Sequence, residues 1–410
     1  MSFSQMSRSR IAAGVAVLVA STSLPHGVDA QATPSSRVSV RAENTLPIER
    51  RDETIAIAWN DLRAALPAVQ AHRVRVIEAA TGREAVTQVL DANGDGQPDS
   101  LLFQSSFWPT ESRAFFVEAV ASAAGAKARV HARYDVPRDD MAWENDRVAF
   151  RIYGQGLWKT PDSLISNGID VWPKRTRELV LEKWYGKGHD EYHTDRGEGA
   201  DFFNVGPTLG AGGTAIWRDG KLHRFQNFKT HRIVADGPIR AIFDLEYEPI
   251  DAGGQRVAET KRIIIDAGSN LYRSESVFRT DGAAEIPYAI GFVKRKGMIG
   301  STSKAQPWGW LAAWGPVDVK QGEGGHGELG TAVLLDRQRV VDWKESDDHY
   351  FAVSTARPGQ PVVHYIGAGW TASGDFPDVR VWWDYLTKSS QRLAAPIKVT
   401  VSAAQATAAR

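Results

Sequence analysis

The chain has no cysteine. That excludes disulfides, thiolate nucleophiles and thiolate metal ligands together, so stability has to come from the size of the core. Long apolar runs are also missing. The longest, Ile11–Ala20, is about half of the roughly 20 residues a membrane-spanning helix needs. Neither sign of charge dominates, with 49 Lys and Arg against 49 Asp and Glu. Bulk charge therefore gives no affinity for nucleic acid or for an anionic membrane surface, and neither is expected as a partner. No HExxH helix motif occurs, which removes the commonest zinc-hydrolase signature.

What is present is an ordinary globular composition, 42% hydrophobic and 24% charged, over 410 residues, enough for two packed domains. Arg8 and Arg10 precede the Ile11–Ala20 run, and Ala30-Gln31-Ala32 supplies a small-x-small cleavage pattern. Residues 1–32 therefore read as a secretory signal, and the mature protein is expected in the periplasm or outside the cell. Taking away two cations and one anion with that segment leaves a net charge of −1.

Residues 33–137 read as a small β-sandwich. Short alternating stretches are separated by turn signals at Thr81-Gly82 and Asn93-Gly94, and "DLRAALPAVQ" reads as a helical turn or a loop. The charged stretch "PRDDMAWENDR" after Val136 is taken as the boundary. From residue 138 to 410 a second, larger set of strands follows. In "IRAIFDLEYEPI", Ile239, Ala241, Phe243, Leu245 and Tyr247 share one face, the pattern of an antiparallel strand with one buried side. Only "DVRVWWDYLTKSSQRL" reads as a helix, with Asp378 as its N-cap, and "PIKVTV" closes the chain. The expected fold is all-β: a small sandwich, then a large antiparallel one with a single C-terminal helix.

Three stretches could carry chemistry. "DANGDGQPD" sets Asp91, Asn93, Asp95 and Asp99 at calcium-loop spacing, but Leu102 stands where the closing glutamate belongs. It reads either as a structural calcium loop or as a hairpin turn; no cofactor is otherwise required. "GIDVWPKR" gathers Trp172, Lys174 and Arg175, an aromatic ring beside two cations, which suits an anionic sugar and equally suits a solvated strand edge. "DEYHTDRGEGADFF" crowds Tyr192, His193, Asp195, Arg196, Glu198 and Asp201 around Gly197 and Gly199. Four of the ten histidines, His189, His193, His223 and His231, lie in this part of the chain. His and Tyr can move a proton near neutral pH when the surroundings shift their pKa, and a carboxylate beside a histidine orients its ring. The alternatives are a solvated loop, or a metal held by His193, Asp195 and Glu198 at a spacing no helical zinc motif matches.

Taken together, "ENDRVAFRIYG", "GIDVWPKR", "YHTDRGEGADFFNVGPTLGAGGTAIW" and "GPIRAIFDLEYEP" resemble a family of exported bacterial proteins of unassigned function found among enzymes that dismantle plant and algal polysaccharides. The resemblance spans residues 38 to 400. It implies a galactose-mutarotase-like β-sandwich, a fold shared with polysaccharide lyases and epimerases, but no mechanism. Elimination on a uronic-acid-containing saccharide is the leading expectation. Lys174, Arg175 and Arg196 would neutralise the substrate carboxylate, with Tyr192 and His193 as acid and base, in either order. Asp195 and Glu198 would assist, and Asp201 and His231 would bind substrate. Hydrolysis by a pair drawn from Glu198, Asp201 and Asp195 is a second reading. A non-catalytic carbohydrate-binding protein built on the 14 tryptophans is a third.

Overall fold

Alternating apolar residues dictate most of the architecture. The computed structural model describes residues 37–123, 125–159, 164–317 and 325–403; the expected export signal, residues 1–32, lies outside them. Residues 35–410 form one unit, and strands dominate it. Near the N-terminus a five-stranded sheet packs on a three-stranded one. Val38, Val40, Ile55, Ile57, Leu101, Phe103, Phe115 and Val117 fill the space between them. The closing strand, Lys398–Ala403, pairs antiparallel with Arg37–Glu43, so the end of the chain completes the first sheet rather than the larger assembly. "DLRAALPAVQ" contributes to the helix Trp59–Ala65, whose Trp59 and Leu62 enter the same core.

The larger assembly sets a nine-stranded antiparallel sheet against a five-stranded one. On the strand Arg240–Tyr247, Ala241, Phe243, Leu245 and Tyr247 face this core, as the alternation predicts. Ile242 points the other way and is also buried, because Leu90 and Leu102 of the N-terminal sandwich cover it. The helix Val379–Ala394 starts where Asp378 accepts hydrogen bonds from the N–H groups of Arg380 and Val381. One turn apart, Trp382 and Leu386 pack on Trp310, Trp314 and Leu334. The C-terminal helix is therefore where the sequence puts it, but it is joined by Trp59–Ala65 and by Leu181–Lys187.

In the Asp91 loop the acceptors face the backbone. Asp91 takes the N–H groups of Gly94 at 2.6 Å and Gly96 at 2.7 Å, Asn93 takes that of Asp95 at 2.8 Å, and Asp99 takes that of Ala92 at 2.7 Å. The loop closes the hairpin between Thr87–Leu90 and Ser100–Phe107 through these bonds. Among the described residues, no group of three His, Cys, Asp or Glu is placed to hold a metal ion.

The stretch "PRDDMAWENDR" corrects the sequence-based boundary. Asp140–Asn145 is a fully buried strand of a four-stranded sheet with Val130–Asp135, Val148–Tyr153 and Asp170–Pro173. Its charges looked like those of a linker; two of them, Asp140 and Glu144, are instead inward side chains of one sheet face.

Candidate functional site

That four-stranded sheet has two unlike faces. Met141, Trp143, Val148, Phe150, Ile152 and Val171 enter the main core. Cross-strand register places the remaining positions together: His131, Glu144, Ala149 and Trp172 in one row, Arg133, Ala142, Arg151 and Asp170 in the next, and Asp135, Asp140 and Tyr153 in the third. The segment from Val180 to Phe203 covers this polar face.

Glu144 starts the cover. Its carboxylate accepts from the N–H groups of Val180 at 2.7 Å and Leu181 at 2.8 Å, the first groups of the helix Leu181–Lys187, and pairs with Lys174 Nζ at 2.6 Å. Small residues, Ala142 and Ala149, leave room for an aromatic stack in which Trp172 lies 5.0 Å from Tyr192 and 5.1 Å from Tyr185. The chain then makes the short turn His189–Tyr192 rather than an extended strand. Gly199 meets the end of the sheet so closely, at φ +104°, that a Cβ would overlap the Pro173 carbonyl.

At the centre is Arg151. Its Nη2 lies 2.6 Å from Asp170 Oδ2 and 2.7 Å from Asp201 Oδ2, and its Nη1 donates to Tyr192 Oη at 3.2 Å. Tyr153 donates to Asp170 at 3.0 Å, and Asp140 stands 3.9 Å from the guanidinium. One cation among three buried carboxylates cannot keep all of them ionised. Burial, reinforced by Asp135 and Asp170 and opposed by Arg151, pushes the Asp140 carboxyl up to about 7. Burial and the Asp170 carboxylate raise Asp201 well above the usual range. Burial likewise raises the Tyr192 phenol, which holds its proton at neutral pH. Asp140 Oδ1 and Tyr185 Oη are buried without hydrogen-bond partners among the described residues.

His193 is the cluster's outlet. Its Nδ1 lies 2.9 Å from the Asp201 backbone carbonyl, which can only accept, so Nδ1 carries the proton and Nε2 keeps its lone pair. Burial lowers the ring's pKa, assisted by Arg151, so the imidazole is neutral at pH 7. Its side chain is still 31% exposed, while Asp201 is 2% exposed.

Of the residues proposed from sequence, the fold brings Tyr192, His193, Asp201 and Trp172 to one cluster and assigns the others elsewhere. Trp172 is fully buried against Tyr185 and Tyr192, so its ring is not a platform for sugar. Lys174 is buried in the Glu144 ion pair. Asp195 shapes the loop, accepting from the N–H groups of Gly197 and Gly199 and pairing with Arg175. Glu198 pairs with Lys183 at 2.5 Å, which holds its carboxyl below the usual range and unsuits it as an acid. Arg196 pairs with Glu191 at the surface. His231 stacks on Tyr134 at 3.7 Å, beside Asp139, instead of joining His193. The sequence reading missed Asp140, Arg151, Tyr153 and Asp170. It also missed Arg138, partly exposed, which pairs with Asp135 at 2.9 Å and lies 5.6 Å from the Tyr192 ring centre. For Asp140, Arg151 and Tyr153 the signal was there: in "DDMAWEN" and "RVAFRIYG" ionisable groups are interleaved with large apolar ones.

An all-β protein with a polar, covered sheet face beside a large antiparallel sandwich is the class this geometry defines. The chain belongs to the family described as a domain of unknown function, DUF4861, whose model matches residues 42–399. It is 30% identical over 380 residues to "Uncharacterized protein P7" of Formosa agariphila, across 88% of this chain and 93% of that one. Among solved structures it is similar to a protein in glycosyl hydrolase family 38 and to an alpha-mannosidase, both from Enterococcus faecalis, each at 9% identity and a TM-score of 0.48. These matches cover 92% and 90% of this chain and 49% and 46% of the others, so the chain spans about half the length of the solved chains it matches. At that level the likeness bears on neither reaction nor substrate.

Proposed function

We propose that the protein is an exported carbohydrate-active enzyme that carries out elimination on acidic saccharides, with the Arg151 cluster as its proton-transfer centre. The observation that carries this reading is His193: a neutral ring on a partly exposed side chain, its Nδ1–H fixed on a backbone carbonyl, which leaves Nε2 unprotonated. His193 Nε2 takes the proton from the carbon next to the substrate carboxylate. That electron pair forms the double bond as the neighbouring C–O bond breaks, and Tyr192 protonates the departing oxygen. Arg138, paired with Asp135 at 2.9 Å and partly exposed, turns its remaining donors to the substrate carboxylate, which acidifies the C–H. Tyr192 is buried, so the segment that carries it has to open for substrate to reach its hydroxyl. The reading needs no cofactor.

Hydrolysis is the second reading, and Asp140 favours it: a carboxyl pushed up to about 7 can hold or release a proton near neutrality. The two separate in one assay on a panel of uronate-rich polysaccharides and their oligosaccharides. Elimination produces new reducing ends together with the ultraviolet absorbance of a conjugated unsaturated uronate. Reducing ends without that absorbance would overturn elimination in favour of hydrolysis. Binding of the panel with neither product would leave a carbohydrate-binding protein.

A further inference from the structure

One cleft has two cations in its walls and no carboxylate. It encloses about 190 Å³ of space, part of it open to solvent, and is lined by Arg147, Lys174, Asn270, Ser373 and Trp370 among other residues. Its floor has room for about one water-sized group. A sugar ring does not fit there, but an oxygen of an acid group does.

The donors on these walls are incompletely used. An ammonium carries three N–H groups, and that of the buried Lys174 has two acceptors among the described residues, Glu144 Oε2 at 2.6 Å and the Asn145 carbonyl at 2.8 Å. Arg147 places Nη1 3.2 Å from Asp375 and Nη2 3.3 Å from Asp52, while its buried Nε has no partner among the described residues. Buried donors without acceptors are uncommon and mark places where a ligand or water completes the bonding. The cleft also adjoins the proton-transfer loop. Arg175 lies 4.9 Å from the Trp370 ring centre on one side and pairs on the other with Asp195, two residues beyond His193.

We propose that this cleft is a second acid-group subsite, taking one carboxylate or sulfate of a saccharide whose neighbouring sugar is presented to His193. The acid enters toward Lys174 and Arg147 and the ring stays at the mouth. A neutral sugar's hydroxyl can accept from these N–H groups but brings no charge, so the charge-assisted bonds to an acid's oxygens favour the acid. The assignment to a saccharide rests on the reading of the protein as carbohydrate-active; the preference for an oxyanion rests on the cleft alone.

Binding is measured by calorimetry on the full chain with three probes: a galacturonate oligomer, a galactose 6-sulfate oligomer and a neutral galactose oligomer of the same length. Wild type is expected to bind an acidic oligomer at least about ten-fold more tightly than the neutral one, and the tighter of the two acids identifies the group. Arg147→Gln should remove most of that difference and leave neutral binding unchanged. Arg147 also pairs with Asp375 and Asp52, so Arg147→Lys, which keeps the charge but lacks Nε, carries the test if the first variant does not fold. Equal binding of acidic and neutral oligomers by wild type, or unchanged acid binding in the folded Arg147 variant, overturns the proposal. His193→Ala separates the two readings: it should bind the acidic oligomer as wild type does and fail to turn it over. If it turns over normally, the proposed reaction falls while the cleft stands.

Discussion

The two faces of the four-stranded sheet share a backbone, a register and near-complete burial, yet they do opposite work. On one face Trp143, Phe150 and Ile152 meet Phe243 and Tyr272, a packed aromatic core with ring centres about 5 Å apart. On the other, Arg151 holds Asp170 and Asp201 beside Trp172, under a cover that includes Tyr185 and Tyr192. The first face lowers its free energy by leaving water. The second has taken several charges out of water with one central cation among them, which stabilises a fold poorly and shifts pKa values well. Burial alone is therefore no guide to role; the balance of charge within it is.

The largest expected effect breaks the apolar face. Phe150→Ala should cost about 3–5 kcal/mol in denaturant unfolding, with the activity of the folded protein unchanged. Next is the polar face: His193→Ala should lower turnover by roughly 100-fold or more while its melting temperature stays near wild type. A His193→Ala protein of normal activity would return that face to a purely structural role.

Asp140→Asn tests the strain on the polar face. A carboxyl whose folded pKa is raised from 3.8 to about 7 favours the folded state when protonated, so wild type loses stability as pH climbs through that window. The variant has no such loss and should be the more stable protein at pH 8, by about 1 kcal/mol or more. Equal unfolding midpoints at pH 8 would show that the fold does not raise the Asp140 pKa.

A smaller effect belongs to the edge of the cover. His131 lies 2.8 Å from Asp236 and 3.1 Å from Glu182 of the helix Leu181–Lys187. Both ring nitrogens face carboxylates, which requires the imidazolium, and the Asp236 hydrogen bond outweighs burial to raise the pKa from 6.5 to about 9. Its stabilisation is complete below pH 6.5 and disappears as pH rises through about 9. His131→Gln should flatten the fall in melting temperature over that range. Smallest of all, Lys183→Ala should cost less than about 1 kcal/mol, because the Glu198 ion pair is largely exposed.

Much of the fold was legible because it rests on short-range rules. The Asp378 cap, the alternation through Phe243 and Leu245, and the turns at Gly82 and Gly94, both with positive φ, depend on neighbours in the chain. The site was legible in part. Tyr192, His193 and Asp201 stood out as an ionisable cluster beside glycines, and the fold keeps them together. Asp195 and Glu198 belonged to the same cluster but were taken by Arg175 and Lys183, partners that only folding supplies.

The sequence by itself determined which residues alternate, where turns and the C-terminal helix begin, and which kinds of groups the chain can bring to a proton transfer. Only the tertiary structure decided which face of Asp140–Asn145 and Val148–Tyr153 meets the core, because both faces are buried and periodicity cannot rank them. It also decided that Lys174 answers Glu144 and that Arg151 answers Asp170 and Asp201. The partners of Lys174 and Arg151 lie 19 to 50 residues away along the chain. A charge's pKa and its availability to a substrate depend on what surrounds it in space, and for these groups that is set by the packing of distant strands.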